Sequence, residues 1–241
     1  MSVSREMPEV TSRTAVRRGS LSRAAVVQAA LDLADAAGLE AVTMRAIAQR
    51  LGCKPMSLYR HVADKDALLD ALVESIFAEY ELPDPTQRAW REELARRAGS
   101  VRRVLVRHPW ALALLETRAG PDRPVTFAHA EAVLATLVEA GCSPRTAATA
   151  FVMLDSYVYG FALQQITLPS TEPEVTATDE VVQALQEYPT MLAVMEAVAG
   201  DPDYEFSQEF DVGLEVVLDG IERWRDADAA SHHRPQERED R

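Results

Sequence analysis

Apolar residues recur at every third or fourth position along most of this chain after residue 20. Such spacing places them along one side of an α-helix, whereas a half-buried strand would require apolar and polar residues to alternate. The 241 residues contain no sustained alternation of that kind bounded by turn residues. The pattern therefore predicts an all-α fold, with helices delimited by glycine and proline.

The composition is that of an ordinary packed globular chain, with 47% apolar and 26% charged residues. No uninterrupted apolar run reaches the roughly 20 residues that a membrane helix requires, and the basic N-terminal residues lack the apolar stretch of a signal peptide. We therefore expect a cytoplasmic protein without a membrane partner. Cys53 and Cys142 lack metal-site spacing and are expected to be free thiols.

Four helices are predicted before the first pair of prolines. The first spans 22–37, and the second begins after Thr43, whose hydroxyl can cap it, and ends at Gly52. The third begins at Pro55 and has about seven residues, and the fourth stops before Pro83. Two short helices joined by a tight turn and framed by longer ones form a helix-turn-helix, whose second helix enters the DNA major groove.

The charge distribution favours the same function. The chain has a net charge of -13, but residues 11–62 carry eight basic and three acidic side chains, a net charge of +5, so the remainder sums to -18. A basic segment joined to an acidic body is typical of a nucleic-acid-binding end attached to a domain with another role.

The third helix presents an outer face suited to DNA. At 100° per residue, its inward side carries Pro55, Leu58 and Val62. Its outward side carries Met56, Ser57 and Arg60, flanked by Tyr59 and His61. Arginine can bind guanine O6 and N7, hydroxyls can donate to phosphates or bases, and methionine can pack on a thymine methyl. Lys54 and Lys65, the only lysines of the chain, bracket this helix as phosphate contacts.

Some of these residues have a second interpretation. Arg60 is either a base contact or a solvated arginine on a helical face, and Met56 and Ser57 either contact the groove or are indifferent to it. Tyr59 is either a phosphate contact or a core aromatic residue, because the helical wheel places it halfway out. His61 either touches phosphate or packs against the fourth helix. Arg17 and Arg18 form either an arm in the minor groove or a solvated tail.

Three segments resemble the DNA-binding domain of the TetR family of bacterial transcriptional regulators. They are 43–52 (TMRAIAQRLG), 57–62 (SLYRHV) and 65–69 (KDALL), and the resemblance covers residues 22–78. It implies that Tyr59 and Lys65 hold the phosphate backbone, that Arg45 reaches a base, and that the outer residues of the third helix read sequence. The expected DNA-binding set is Thr43, Arg45, Lys54, Met56, Ser57, Tyr59, Arg60, His61 and Lys65.

Residues 108–141 and 210–221 resemble the C-terminal domain of the tetracycline-repressor branch of that family. Members of that branch chelate a magnesium-bound drug with two histidines, whose positions here hold Glu81 and about Leu115. We therefore expect no metal or other cofactor, and a small apolar or amphipathic effector other than tetracycline.

Candidate effector contacts in the body are aromatic, methionine and polar side chains, most of which core packing explains as well. They are Trp110, Phe127, Met153, Tyr157, Phe161 and Gln164, with His108, Arg118 and His129 as polar anchors. The apolar faces of 146–163 and 206–224 are expected to pair two copies as a homodimer, because one recognition helix spans only a few base pairs.

The predicted organisation is a disordered basic tail (1–20), a helix-turn-helix domain (21–80), a helical effector-binding and dimerisation domain (81–225) and a disordered tail (226–241). The expected function is that of a ligand-responsive repressor, not an enzyme, which binds a pseudo-palindromic double-stranded operator and is released by a small-molecule effector. The competing interpretation is an α-helical enzyme or interaction scaffold with a basic N-terminal end, although the chain contains no HExxH motif and no Gly-rich phosphate loop.

Overall fold

The computed structural model describes residues 21–118, 124–168, 186–201 and 204–232. These residues form α-helices, two short 3₁₀ helices and no strand, which confirms the all-α prediction. The predicted tail over 1–20, with Arg17 and Arg18, and the last residues of the chain after 232 lie outside the described residues.

The head consists of four helices, α1 (Arg23–Ala37), α2 (Met44–Leu51), α3 (Pro55–Leu58) and α4 (Lys65–Ala78). As predicted, the Thr43 hydroxyl begins α2 by accepting a hydrogen bond from the Ala46 N–H at 3.1 Å. The Asp64 carboxylate begins α4 in the same way, at 2.7 Å from the Ala67 nitrogen. Gly52 ends α2 with φ of 65°, a left-handed conformation that glycine adopts without steric cost. Side-chain caps and glycine thus fix the helix-turn-helix locally.

The third helix is shorter than predicted. Its α-helical part ends at Leu58, and the chain continues in turns in which the His61 and Val62 amides both donate to the Leu58 carbonyl, at 2.8 and 3.0 Å. The chain must turn here because Asp64 already caps the next helix.

The body contains α5 (Trp90–Arg107), α6 (Ala111–Arg118), α7 (Pro124–Glu139), α8 (Pro144–Thr167), α9 (Pro189–Ala199) and α10 (Glu209–His232). The 3₁₀ helices are Leu39–Ala41 in the head and Phe206–Gln208 before α10. Helix α8 lies at the centre of the body and packs against α5, α7 and α10, while α4 of the head contacts α6 and α7.

Helix α8 has 24 residues and is, by length and composition, apolar enough to cross a membrane. Arg145 and Asp155 interrupt it, so the helix still contains no uninterrupted apolar run of the length that the sequence analysis considered. Leu154 and Val158 on this helix are fully buried between neighbouring helices. One side of the helix therefore lies in the core of the body, whereas Val152, Met153 and Leu163 on the same helix are exposed.

Helix α10 continues to His232, so the prediction of a disordered tail from residue 226 is wrong for its first part. The reason is a tertiary contact: the Asp228 carboxylate accepts a hydrogen bond from the Ser143 N–H at 2.9 Å.

Both cysteines are free thiols, as expected from the sequence. Cys142 is buried, whereas Cys53 is half-buried. Burial raises the pKa of the Cys142 thiol.

A buried carboxylate, Glu93, organises the joint between head and body. It accepts hydrogen bonds from the Arg96 guanidinium at 2.6 Å, the Asp84 N–H at 2.9 Å and the Arg88 guanidinium at 3.0 Å. These donors, Arg96 above all, lower the pKa of Glu93 to about 2. Glu93 therefore stays ionised and fixes the loop between α4 and α5.

Candidate DNA-binding surface and effector cavity

The outer face of the third helix is open to solvent. Met56 is 74% exposed, Tyr59 is 45% exposed and Arg60 is also exposed, whereas Leu58 and Val62 are buried in the head. The helical wheel predicted this division, except that Pro55, expected to face inward, is exposed. Ser57 and His61 are half-buried at the edge of the face.

Exposed cations on the head fall into two groups. Arg50 pairs with Asp32 at 2.6 Å and Arg23 pairs with Glu74 at 3.1 Å. Four exposed cations around the third helix have no acidic partner within the described part of the chain: Arg45, Lys54, Arg60 and Lys65. Unpaired cations on one surface are what a phosphate backbone requires.

Thr43 adds a polar contact to this surface. Its oxygen is used as the cap of α2, but the exposed hydroxyl keeps its proton for donation. Together with Tyr59 and Ser57 it gives the surface three hydroxyls that can bind phosphate or base oxygens.

The body contains a cavity of about 970 Å³ that is partly open to solvent and lies between α5, α6, α7 and α8, with Phe77 of α4 also in its wall. Most of its wall is apolar, with Leu112 and Leu115 from α6, Phe127 from α7, and Phe151 and Ile166 from α8. Its volume and apolar lining are typical of a small-molecule site.

One part of this wall is polar. Arg97 is buried and donates from Nη1 to Asp155 Oδ1 at 2.5 Å, and both residues line the cavity. His129 beside them is buried as well, and its burial, followed by the charge of Arg97, lowers the pKa of the imidazole. Burial also raises the pKa of Tyr159, so this phenol stays neutral. The polar wall thus combines a neutralised ion pair with neutral donors and acceptors.

Of the predicted effector contacts, Phe127 and His129 line the cavity. The structure places Tyr157 and Phe161 elsewhere, in an aromatic cluster against α10, where the Tyr157 hydroxyl donates to the Phe210 carbonyl at 2.8 Å. Met153 and Gln164 are exposed on α8 outside the cavity. These four side chains lie outside the cavity because helical spacing marks an apolar or aromatic face without saying which neighbour the face meets. Their role as effector contacts stays a prediction.

Sequence reasoning missed Arg97, Asp155, Tyr159 and Glu116, which line the cavity. The one available signal was Asp155, a lone carboxylate in the apolar α8. Its partner Arg97 lies 58 positions earlier, a distance that no local pattern bridges.

The remaining predicted anchors join the body to the head. His108 Nδ1 lies 2.6 Å from Asp35 Oδ1 on α1, and Trp110 Nε1 donates to the same oxygen at 2.7 Å. Arg118 at the end of α6 pairs with Asp66 and, at 2.9 Å, with Asp70 on α4. These three side chains do not line the cavity, and their role as effector contacts stays a prediction. Helix α6 therefore lines the cavity with one face while both of its ends are tied to the head.

Glu81 and Leu115, at the positions of the two metal-chelating histidines of the tetracycline-repressor branch, have different surroundings in the structure. Glu81 pairs with Arg96 and, at 2.8 Å, with Arg103, whereas Leu115 lines the cavity. Within the described residues, no three or more histidine, cysteine, aspartate or glutamate side chains cluster as metal ligands.

Two family models match the chain. Residues 26–72 match the model for bacterial regulatory proteins of the tetR family, and residues 82–225 match the tetracyclin repressor-like C-terminal domain. A helix-turn-helix head joined to such a body defines a DNA-binding transcriptional regulator.

Relatives agree in sequence and structure. An HTH-type transcriptional regulator of Saccharopolyspora erythraea is 32% identical over 219 residues, 89% of each chain. The HTH-type transcriptional repressor DrrR1 of Streptomyces coeruleorubidus is 34% identical over 211 residues, 82% of this chain and 76% of its own. Ligand-free ActR of Streptomyces coelicolor superimposes with a TM-score of 0.70 at 25% identity, covering 87% of this chain and 98% of ActR. The structure of ActR in complex with actinorhodin superimposes with a TM-score of 0.66 at 26% identity, covering 85% of this chain and 98% of ActR. The chain belongs to the TetR family of bacterial transcriptional regulators.

Proposed function

We propose that this protein is a cytoplasmic repressor that binds a pseudo-palindromic operator as a homodimer and is released by a small apolar or amphipathic effector. The observation that carries the DNA-binding part is the set of unpaired cations around the exposed third helix. Arg60 on that helix is suited to a base edge, whereas Lys54 and Lys65 at its two ends are suited to phosphates. DrrR1, a relative named as a repressor, supports repression as the direction of control.

Exposed apolar side chains on two adjacent helices support the homodimer. Val152 on α8 is 60% exposed, and Val212 and Val216 on α10 are 62% and 69% exposed. Apolar patches of this kind mark protein interfaces. Pairing the same surface of two copies by a two-fold axis would set two recognition helices on one face of a duplex.

The connection between α6 and the head supports release by an effector. Leu112 and Leu115 of α6 touch the cavity, while Arg118 at its end holds Asp70 of α4. An effector that binds more tightly when α6 is in one position than in another would shift the equilibrium between the corresponding positions of the head. The size of this shift is the difference between the two binding free energies. Such couplings are typically about 1–3 kcal/mol, or roughly 5- to 150-fold in operator affinity. The actinorhodin complex of ActR is a precedent for a small-molecule ligand in a relative.

Selection from a pool of random-sequence DNA duplexes tests the proposal. We expect an enriched motif with two-fold symmetry, bound by a dimer in analytical ultracentrifugation, with an affinity that falls steeply as salt is raised. Sequence-blind binding, or enrichment of no symmetric motif, would favour the enzyme or scaffold interpretation instead.

A further inference from the structure

The charges that a molecule in the cavity can reach are carboxylates. Three charged side chains line the cavity, namely Arg97, Glu116 and Asp155. The Arg97 side chain is only 2% exposed, whereas 24% of the Asp155 side chain is exposed and Glu116 is an exposed residue. The accessible charges of the wall are therefore negative, although one of its three charged side chains is a guanidinium.

Glu116 contributes a negative charge that nothing in the described structure neutralises. Arg97 donates to Asp155 at 2.5 Å, so the charge of Asp155 is already balanced. Glu116, on α6, forms no hydrogen bond or ion pair within the described residues. Because opposite charges attract more strongly where water is partly excluded, a protonated amine that enters the cavity gains from Glu116.

No second positive charge opposes a cation at this wall. Among the described residues that line the cavity, His129 is the one other side chain that can become a cation besides Arg97. Burial, followed by the charge of Arg97, lowers the pKa of the His129 imidazole, which is therefore neutral at pH 7. The chain outside residues 11–62 carries a net charge of -18, and a field of this sign concentrates cations and repels anions.

Aromatic rings add a second attraction for the same kind of ligand. Phe77, Phe127, Phe151 and Tyr159 line the cavity, and Phe127 is 54% exposed, so a ligand can reach its ring. A cation is attracted to the negative face of such a ring, and an apolar ring system packs against it. The cavity volume of about 970 Å³ accommodates a ligand with several fused rings.

We propose that the cavity selects an amphipathic cation, an apolar ring system that bears a protonated amine, and that Glu116 is the residue that selects the charge. Neutral analogues bind less tightly, and anionic analogues bind least. This inference rests on the proposed effector-binding function of the same cavity and adds the sign of the ligand's charge to it.

Three probes that share one ring system test this selection: 1-pyrenemethylamine, 1-pyrenemethanol and pyrene-1-carboxylate. At pH 7 the first is a cation, the second is neutral and the third is an anion. Pyrene fluorescence reports their binding to the full-length protein without DNA. We expect the amine to bind about tenfold more tightly than the alcohol, as an ion pair and a cation–π contact together provide, and the carboxylate to bind most weakly. An alcohol or carboxylate that binds as tightly as the amine, or an amine that does not bind, would overturn the inference.

Two matched variants distinguish the cavity wall from the general attraction of an acidic protein for cations. Glu116→Gln removes one charge from the wall, so the preference for the amine over the alcohol should fall about threefold. Glu131→Gln removes the same charge from an exposed residue of α7 that does not line the cavity and has no partner within the described residues, so the preference should be retained. Both residues are exposed, so neither substitution disturbs the core. Equal preferences in the two variants would contradict the assignment to Glu116.

The outcomes separate this inference from the function on which it rests. Operator selection uses no ligand, and probe binding uses no DNA. A symmetric operator motif together with a preference for the alcohol or the carboxylate would refute the inference and leave the DNA-binding proposal standing. A preference for the amine that depends on Glu116, without a symmetric motif, would do the reverse.

Discussion

Replacing Glu93 by glutamine should loosen the joint between the head and the body. The substitution removes the charge that accepts hydrogen bonds from Arg88, Arg96 and the Asp84 N–H. A pKa lowered from 4.5 to about 2 corresponds to at most roughly 3 kcal/mol of stability. Solvent reaches the two arginines, so screening reduces the expected loss at neutral pH to about 1–2 kcal/mol.

The same pKa fixes the pH dependence of this loss. A carboxyl group whose pKa is lowered by folding stabilises the protein fully above the unfolded value of 4.5, and the contribution is lost as the pH falls toward 2. Between pH 7 and pH 3.5 the contribution of Glu93 should shrink by about two fifths. The stability difference between the natural protein and Glu93→Gln should therefore narrow over this range.

Urea denaturation followed by tryptophan fluorescence measures both effects. Glu92→Gln is the matched control, because Glu92 is the neighbouring residue, is exposed and has no partner within the described residues. Its substitution should change the unfolding free energy by less than about 0.5 kcal/mol. The reasoning is refuted if Glu93→Gln and Glu92→Gln have the same free energy of unfolding at pH 7. It is also refuted if the loss of unfolding free energy caused by Glu93→Gln stays constant as the pH is lowered.

Two further substitutions test the packing of the body. Gly213→Ala would place a Cβ against the Tyr157 hydroxyl and 2.9 Å from two carbons of its ring, so it should destabilise the protein by about 1–3 kcal/mol in thermal denaturation. Tyr157→Ala should remove most of that penalty in a double-mutant cycle, and additive losses would contradict the contact. Arg118→Met should speed hydrogen exchange in the first turn of α4, where Asp66 loses its ion pair with Arg118, while global stability changes by less than about 1 kcal/mol. Unchanged exchange there would show that α6 does not hold the head.

Local signals made the head predictable from the sequence. Thr43 and Gly52 mark the ends of α2 by capping chemistry that acts within a few residues, and the exposed side of the third helix follows from helical periodicity around Leu58. Lys54 and Lys65 could be singled out from composition alone, because they are the only lysines of the chain.

The body was less predictable because its site is assembled from distant residues. Arg97 and Asp155 form an ion pair only when α5 packs on α8, and no spacing pattern in the sequence predicts that pair. His108 looked like an effector anchor, yet it bonds Asp35 of the head across 73 positions. The end of α10 was misplaced for the same reason, since Asp228 is held by a distant backbone amide.

The most direct test of sequence-specific DNA binding compares two variants on the selected operator and on a scrambled duplex. Arg60→Ala should reduce the preference for the operator by about 1–3 kcal/mol, whereas Lys65→Ala should weaken binding to both duplexes about equally. Arg103→Ala, which removes an exposed arginine paired with Glu81 in the body, should leave both affinities unchanged. A preference that Arg60→Ala leaves intact would contradict the assignment of the third helix as the element that reads the operator.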